Sequence, residues 1–290
     1  MAATELTRNA LPAVRLSDLY GEDHSPYIQI SRLESLPQGF REYHSNHRHD
    51  FYAIFYFLDG AGIHSIDFVD FDIGPGSVFL LRPGQVHTWN LEGNYSGFAL
   101  KFMPDIFALH SGSDLAQFPF LRMGAAENLI QREQPDDLEP DFLRLKRAKE
   151  DRREGGFLFS LLQIILFEIK EQIQGRADAI SRNDTIRNLA ELIESNWKVE
   201  RSAAFYARQL CISPVTLNQL CKKYLGNNTK SIINERVVLE IKRMLVHTDL
   251  NILEIARETN FEDNAYFSRF FRNQVGLSPE KFRAEHRKVP

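Results

Sequence analysis

The sequence predicts a chain in two parts: an all-β domain, barrel or sandwich, with helices behind it, then a domain built only of helices. Three observations predict it. A length of 290 residues suits two domains at roughly 100–200 residues each. From Tyr27 to Lys101, short runs rich in Phe, Tyr, Ile and Val are broken by Gly and Pro, the rhythm of many short strands. From Asp141 the apolar period lengthens to three and four residues, and from Asp184 onward the pattern is helical throughout. The expected limits are 1–140 for the β domain, 141–181 for a helical segment and linker, and 182–290 for the helical domain.

Composition removes several classes. With 43% hydrophobic and 26% charged residues, the chain is neither disordered nor fibrous. Its longest apolar run, 157–167, is interrupted by Ser160 and Gln163 and is far short of the ~20 residues that span a bilayer, so no membrane partner is expected. The first eleven residues carry Glu5 and Arg8 and no apolar stretch, so no secretory signal is expected. Cys211 and Cys221 lack CxxC spacing, which argues against a disulfide framework or a structural zinc and fits a reducing cytoplasm. The net charge of −4 is unevenly spread: residues 1–181 carry 17 Lys and Arg against 26 Asp and Glu, whereas residues 182–290 carry 18 against 13. Only the basic part is suited to a polyanion.

In the β region the strands are expected at 50–58, 63–69 and 77–81, with Asp59-Gly60 as a hairpin turn and further turns at Gly74-Pro75-Gly76 and Arg82-Pro83-Gly84. Next, 144–154 is densely charged and reads as solvated. Leu158, Leu162, Ile165, Ile169 and Ile173 then form one apolar stripe on a helix. The stripe must be covered by a neighbouring helix or by the same helix of a second chain; the first four are taken as a dimerisation face. Residues 174–183, with Gly175, read as a linker.

The helical domain is well punctuated. Helices are expected at 185–196, 202–210, 214–225, 229–246, 252–259, 264–275 and 279–286. Ser213-Pro214 and Ser278-Pro279 are N-caps followed by proline at the first helical position. Asn251 with Glu254 makes a capping box, and Gly226 and Gly276 supply left-handed stops. Two of the helix pairs share one plan: a short helix, a tight break and a second helix. The second helices are apolar on one face, through Leu217, Leu220 and Cys221 and through Phe267, Phe270 and Phe271. Their other faces carry Thr216, Asn218, Gln219 and Lys222, and Asn264, Ser268, Arg269 and Arg272, groups that reach base edges and phosphates. Lys223 adds a phosphate contact. A plain helical bundle with a solvated face accounts for the same pattern.

The stretch 249–283 resembles the signature of AraC/XylS-type transcription regulators, through Ile255-Ala256, Phe261, Tyr266-Phe267, Gly276-Leu277, Ser278-Pro279 and Phe282-Arg283. The first pair is similar to the family's less constrained half. The resemblance implies two helix-turn-helix units joined by a long helix, here 229–246. The chain departs from the pattern at Asn260, where the family usually has glycine, at Gln219, where it often has arginine, and at Cys221, where a large aromatic is usual.

His47-Arg48-His49-Asp50-Phe51-Tyr52, Gly60-Ala61-Gly62 and Pro83-Gly84-Gln85-Val86-His87 resemble the cupin-like sensor half common in the same family. A cupin enzyme would place a metal on His47, His49 and His87, but the expected glutamate is missing, with Ala53 and Ile54 near its place. No metal, cofactor or catalytic residue is therefore assigned. Along a strand His47, His49, Phe51 and Ala53 share the face turned into the barrel. Tyr43, His47, His49, Phe51, Phe55, Phe79, His87 and Trp89 are the expected effector contacts, while His64 and His110 show no partner logic. The resemblance implies a cytoplasmic, homodimeric, sequence-specific regulator, an activator rather than a repressor. Its partners would be double-stranded DNA, RNA polymerase and a small-molecule effector. The rival readings are a cupin-type metal-dependent enzyme with a helical appendage and a helical protein-interaction module.

Overall fold

The structure, a computed structural model, describes residues 13–14, 16, 27–35, 47–110, 115–121, 128–181 and 183–287. Two compact units emerge, one over residues 12–177 and one over 178–290. Among the described residues no helix is long and apolar enough to cross a membrane.

The first unit is built on one sheet of eight strands among the described residues: β1 (Ala13–Val14), β2 (Ile28–Arg32), β3 (His47–His49), β4 (Tyr52–Ile66), β5 (Val69–Ile73), β6 (Ser77–Leu81), β7 (Val86–Phe102) and β8 (Leu129–Gln131). The order is β1-β3-β7-β4-β6-β8, with β2 also on β7 and β5 also on β4. The start of β4 is apolar at every position because both its faces are covered. Tyr52, Ile54 and Tyr56 join a core shared with the helices, and Phe51, Ala53, Phe55 and Phe57 join a second core on the other face of the sheet.

The expected hairpin at Asp59-Gly60 does not form. The chain runs on as one long strand whose pairing with β7 shifts register between Phe57 and Ala61. Glycine is required here by contact as well as by conformation: a Cβ on Gly62 would lie 2.1 Å from the Asn90 carbonyl oxygen, and one on Gly97 would lie 2.0 Å from that of Tyr56. The turn comes instead at Asp67 and Phe68, both at positive φ (47° and 70°), as a two-residue turn matched to strand twist demands. The Asp67 carboxylate holds it by accepting from the Val86 N–H at 3.1 Å.

Helices α1 (Asp105–Leu109), α2 (Glu139–Glu150) and α3 (Gly155–Ser181) follow. The charged segment 144–154 is not wholly solvated, since α2 buries Phe142, Leu145 and Ala148. The apolar stripe of α3 is covered by its own chain. Leu158, Leu162, Ile165 and Ile169 are at most 1% exposed, in one core with Phe102, Phe107 and Phe118. They have no surface left for a second chain, which corrects the dimerisation face expected from the sequence. The outward side of α3 still exposes Phe157, Ile164 and Phe167. The expected linker 174–183 is helical as far as Ser181, and the division between the units falls inside α3.

The second unit holds α4 (Asp184–Asn196), α5 (Ala203–Gln209), α6 (Pro214–Leu225), α7 (Thr229–His247), α8 (Ile252–Glu258), α9 (Asn264–Val275) and α10 (Pro279–His286). The caps stand where sequence places them: Ser213 Oγ accepts from Thr216 N–H at 3.0 Å, and Asn251 and Glu254 close a reciprocal box. Gly226 and Gly276 take the left-handed stops. Two lobes result. Ile186, Leu189, Tyr206, Leu217, Cys221 and Ile233 make one core; Val237, Ile241, Ile255, Phe261, Phe267 and Phe271 belong to the other. Helix α7 enters the first core and leaves through the second, and Trp197 packs against both.

Candidate functional site

Two sites were expected, one on each unit. In the helical unit, the pairs α5–α6 and α8–α9 repeat one construction. After the first helix, the Ile212 N–H donates to the Ala207 carbonyl and the Phe261 N–H to the Ala256 carbonyl. The intervening Cys211 and Asn260 are left-handed, and the second helix then starts on a side-chain cap, Ser213 or Asp263. The second helix is anchored one turn apart by Leu217 and Cys221, or by Phe267 and Phe271, all fully buried. Anchoring one face obliges the other outward. Thr216, Gln219, Lys222 and Lys223 are exposed on α6, as are Asn264, Arg269 and Arg272 on α9, with Ser268 half-buried beside them.

Asn218 departs from expectation. It is half-buried, and its Oδ1 accepts the Thr229 N–H at 3.2 Å, so its amide holds the first turn of α7 instead of a base edge. Two exposed apolar side chains on the same faces were missed by the sequence reading, Val215 at 68% and Tyr266 at 53%. An exposed apolar group at the start of such a helix is suited to a thymine methyl. Both faces combine cations with hydrogen-bonding groups on a rigid back, the chemistry of phosphate and base contact.

In the β unit, the sheet gathers four imidazoles. His47 stands opposite His87 in the β3–β7 ladder. Ring centroids of His87 lie 4.4 Å from His47, 5.2 Å from His49 and 5.2 Å from His64. All four are buried. His49 Nδ1 donates to the Phe51 carbonyl at 2.8 Å, which fixes its tautomer and leaves Nε2 as a bare acceptor, without a hydrogen-bond partner. His64 Nε2 and His87 Nδ1 share one hydrogen bond of 3.0 Å, leaving His64 Nδ1 and His87 Nε2 buried and unbonded. The rings of Phe51, Phe55 and Trp89 pack against these imidazoles, and Phe79 against His64. Tyr43 lies outside the described residues.

Burial pushes His49 and His64 down to about 3 and His87 well below its usual range, with repulsion from neighbouring imidazoles adding to it. Lys101 is also buried, and burial lowers it to about 7. The cluster is therefore a set of neutral imidazole donors and acceptors walled by aromatics, with the weakened Lys101 ammonium beside it. It does not suit a cupin-type metal: among the described residues no group of three His, Cys, Asp or Glu is arranged to hold one, and Ala53 stands near where a carboxylate ligand would be needed. His64 and Lys101 are the members that sequence reasoning missed. The register shift in β4 is the reason for His64, because it moves even-numbered residues to the face that odd-numbered ones hold earlier in the strand. Separately, an open groove of about 690 Å³ runs along α2, lined by residues that include Arg144, Arg147 and Phe157.

The family described as "AraC-like ligand binding domain" matches residues 38–163, and that described as "Helix-turn-helix domain" matches residues 206–285. Across 92% of its length the chain is similar, at 23% identity, to the HTH-type transcriptional activator RhaS of Enterobacter sp. (strain 638), covering 95% of that protein. It is 26% identical to the arabinose operon regulatory protein of Salmonella typhimurium, over 78% of this chain and 81% of that one. Among solved structures, the C-terminal domain of AraT, a response regulator from Geobacillus stearothermophilus, is 24% identical over 37% of this chain and 89% of its own, with a TM-score of 0.35.

Proposed function

This chain belongs to the AraC/XylS-type transcriptional regulators, sequence-specific DNA-binding proteins controlled by a small-molecule effector, and from that membership we propose how its own residues divide the work. The observation that carries the reading is the repeated construction of α5–α6 and α8–α9, which turns two polar, cationic helix faces outward from rigid cores. Helices α6 and α9 enter the major groove at neighbouring positions. Lys222, Lys223 and Arg272 contact phosphates and provide the salt-dependent part of the affinity. Thr216, Gln219, Asn264, Ser268 and Arg269 face base edges and provide specificity.

The effector binds within the β unit, against His47, His49, Phe51, Phe55, Phe79, His87 and Trp89, to which we add His64 and Lys101. It acts by favouring one arrangement of the chain over another, which requires unequal affinity for the two. The regulator works in the cytoplasm as a homodimer and as an activator that contacts RNA polymerase. Phe157, Ile164 and Phe167 on the outward side of α3 are the residues available to a second copy. Dimerisation raises the effective concentration of the second DNA-binding unit at a site with two halves.

The test is selection of bound fragments from genomic DNA by the purified full chain, with and without metabolite extract. A recurring motif whose affinity falls steeply with salt is expected. Equal, weak retention of all fragments would overturn the assignment of α6 and α9 to DNA.

A further inference from the structure

The turn of the second helix-turn-helix unit is gripped by a loop that belongs to the first lobe. Arg201 lies in the short connection between α4 and α5, and its guanidinium sits 3.7 Å from the centroid of the Phe261 ring. Its Nη2 also donates to the carbonyls of Thr259 and Asn260, the two residues that form the turn between α8 and Phe261. Three residues earlier, Lys198 pairs at 3.3 Å with Glu258, at the end of α8. The Arg201 carbonyl in turn accepts from Lys230 Nζ at 3.0 Å, on the first turn of α7. Trp197, in the same loop, packs against both lobe cores under the guanidinium of Arg236, 4.7 Å from its ring.

We propose that Arg201 is a positioning residue that fixes the separation and angle of the two DNA-reading helices, and so sets which spacing the chain accepts between the bases read by α6 and those read by α9 within one half of its site. The proposal rests on the DNA-binding reading above. Without the α4–α5 loop, helix α7 would be what joins the lobes, and a long helix bends gently. Arg201 adds a second tie, made at the turn that orients α9. One base pair of spacing changes the required placement by about 3.4 Å and about 35° of rotation, so a modest loosening is enough to blur the register. Arg201 reaches no base in this role, because its polar contacts are to the carbonyls of the turn.

The experiment uses the full chain and duplexes carrying the motif recovered in the selection, with the spacer between the bases read by α6 and those read by α9 shortened or lengthened by one and two base pairs. Affinities are read by fluorescence anisotropy at one salt concentration. The unsubstituted chain should lose about tenfold in affinity per base pair of altered spacing, a loss like that for one mismatched pair. In Arg201→Ala that loss should shrink to about threefold or less, while affinity for a duplex that keeps only the bases read by α6 stays within about twofold. Arg201→Lys, which keeps a cation over Phe261, should fall between them. If Arg201→Ala does not fold, Arg201→Lys and Lys198→Ala carry the test, each with a smaller broadening. An unchanged spacing profile, or an equal loss on duplexes that keep one or both of the base groups read by α6 and α9, would overturn the proposal. Failure of the unsubstituted chain to select any duplex would overturn the DNA-binding reading first, and the proposal with it.

Discussion

Cys211 and Asn260 hold the same left-handed backbone, φ +55° and +59°, at the same point of two different turns. The geometry is demanded by the Schellman-type bonds that end α5 and α8, whichever side chain is present. Asparagine tolerates this region well and cysteine poorly. Cys211→Gly should therefore raise stability by about 0.5–1 kcal/mol, after allowing for glycine's freer unfolded chain, whereas Asn260→Gly should change it little. Urea unfolding of each variant checks the order. A larger gain at Asn260 would show that backbone conformation is not what limits these turns.

Ile164 and Ile165 are neighbours with opposite surroundings, 39% and 0% exposed. Ile165→Asp puts an unpaired charge into the core between α3 and the sheet and should cost about 4 kcal/mol or more. Ile164→Asp should stay within about 0.5 kcal/mol of the unsubstituted chain and yield monomers in sedimentation. A dimer that survives Ile164→Asp would move the interface off the outward side of α3.

The buried imidazoles give the β unit a definite response to acid. His49 and His64 titrate near 3 and His87 well below its ordinary value, against about 6.5 in an unfolded chain. As pH falls below about 6.5 the unfolded chain takes up protons that the folded cluster refuses. Their stabilisation is thus complete above that value and is lost progressively as pH falls toward 3. Each imidazole contributes a slope of up to about 1.4 kcal/mol per pH unit. Urea midpoints followed by Trp89 fluorescence, with Trp197 replaced by Phe, should fall between pH 7 and pH 5, and His64→Gln should flatten the fall. A level profile over that window would mean that the rings are not held neutral in the fold.

The helical unit was legible almost residue by residue, because its caps and stops are local: Ser213, Asn251, Ser278, Gly226 and Gly276 each act within one turn of their own position. The sheet was less legible because its decisive contacts are distant. Asp59-Gly60 looks like a hairpin, but β4 runs on through it with a bulge between Phe57 and Ala61, and Gly62 on β4 and Gly97 on β7 each lie against a carbonyl of the facing strand. That bulge reverses the inward face, so His64 was misplaced while His47, His49 and His87 were not. The stripe on α3 was recognised correctly as apolar, but periodicity cannot say whether the same chain or another covers it.

Asn218 and Gln219 separate holding the fold from reading DNA. Gln219 is exposed and outward on α6, whereas the amide oxygen of Asn218 is occupied by the Thr229 N–H at the start of α7. Asn218→Ala should remove about 1 kcal/mol of stability, as loss of a helix-start hydrogen bond does, and leave the selected motif unchanged. Gln219→Ala should leave stability unaltered and relax preference at one base position, with a loss on the order of 1–3 kcal/mol for the preferred base. Melting temperature and motif selection measured on both variants decide the matter. If Asn218→Ala altered the motif with its fold intact, the bond to Thr229 would have to open on DNA, and Asn218 would return to the reading face.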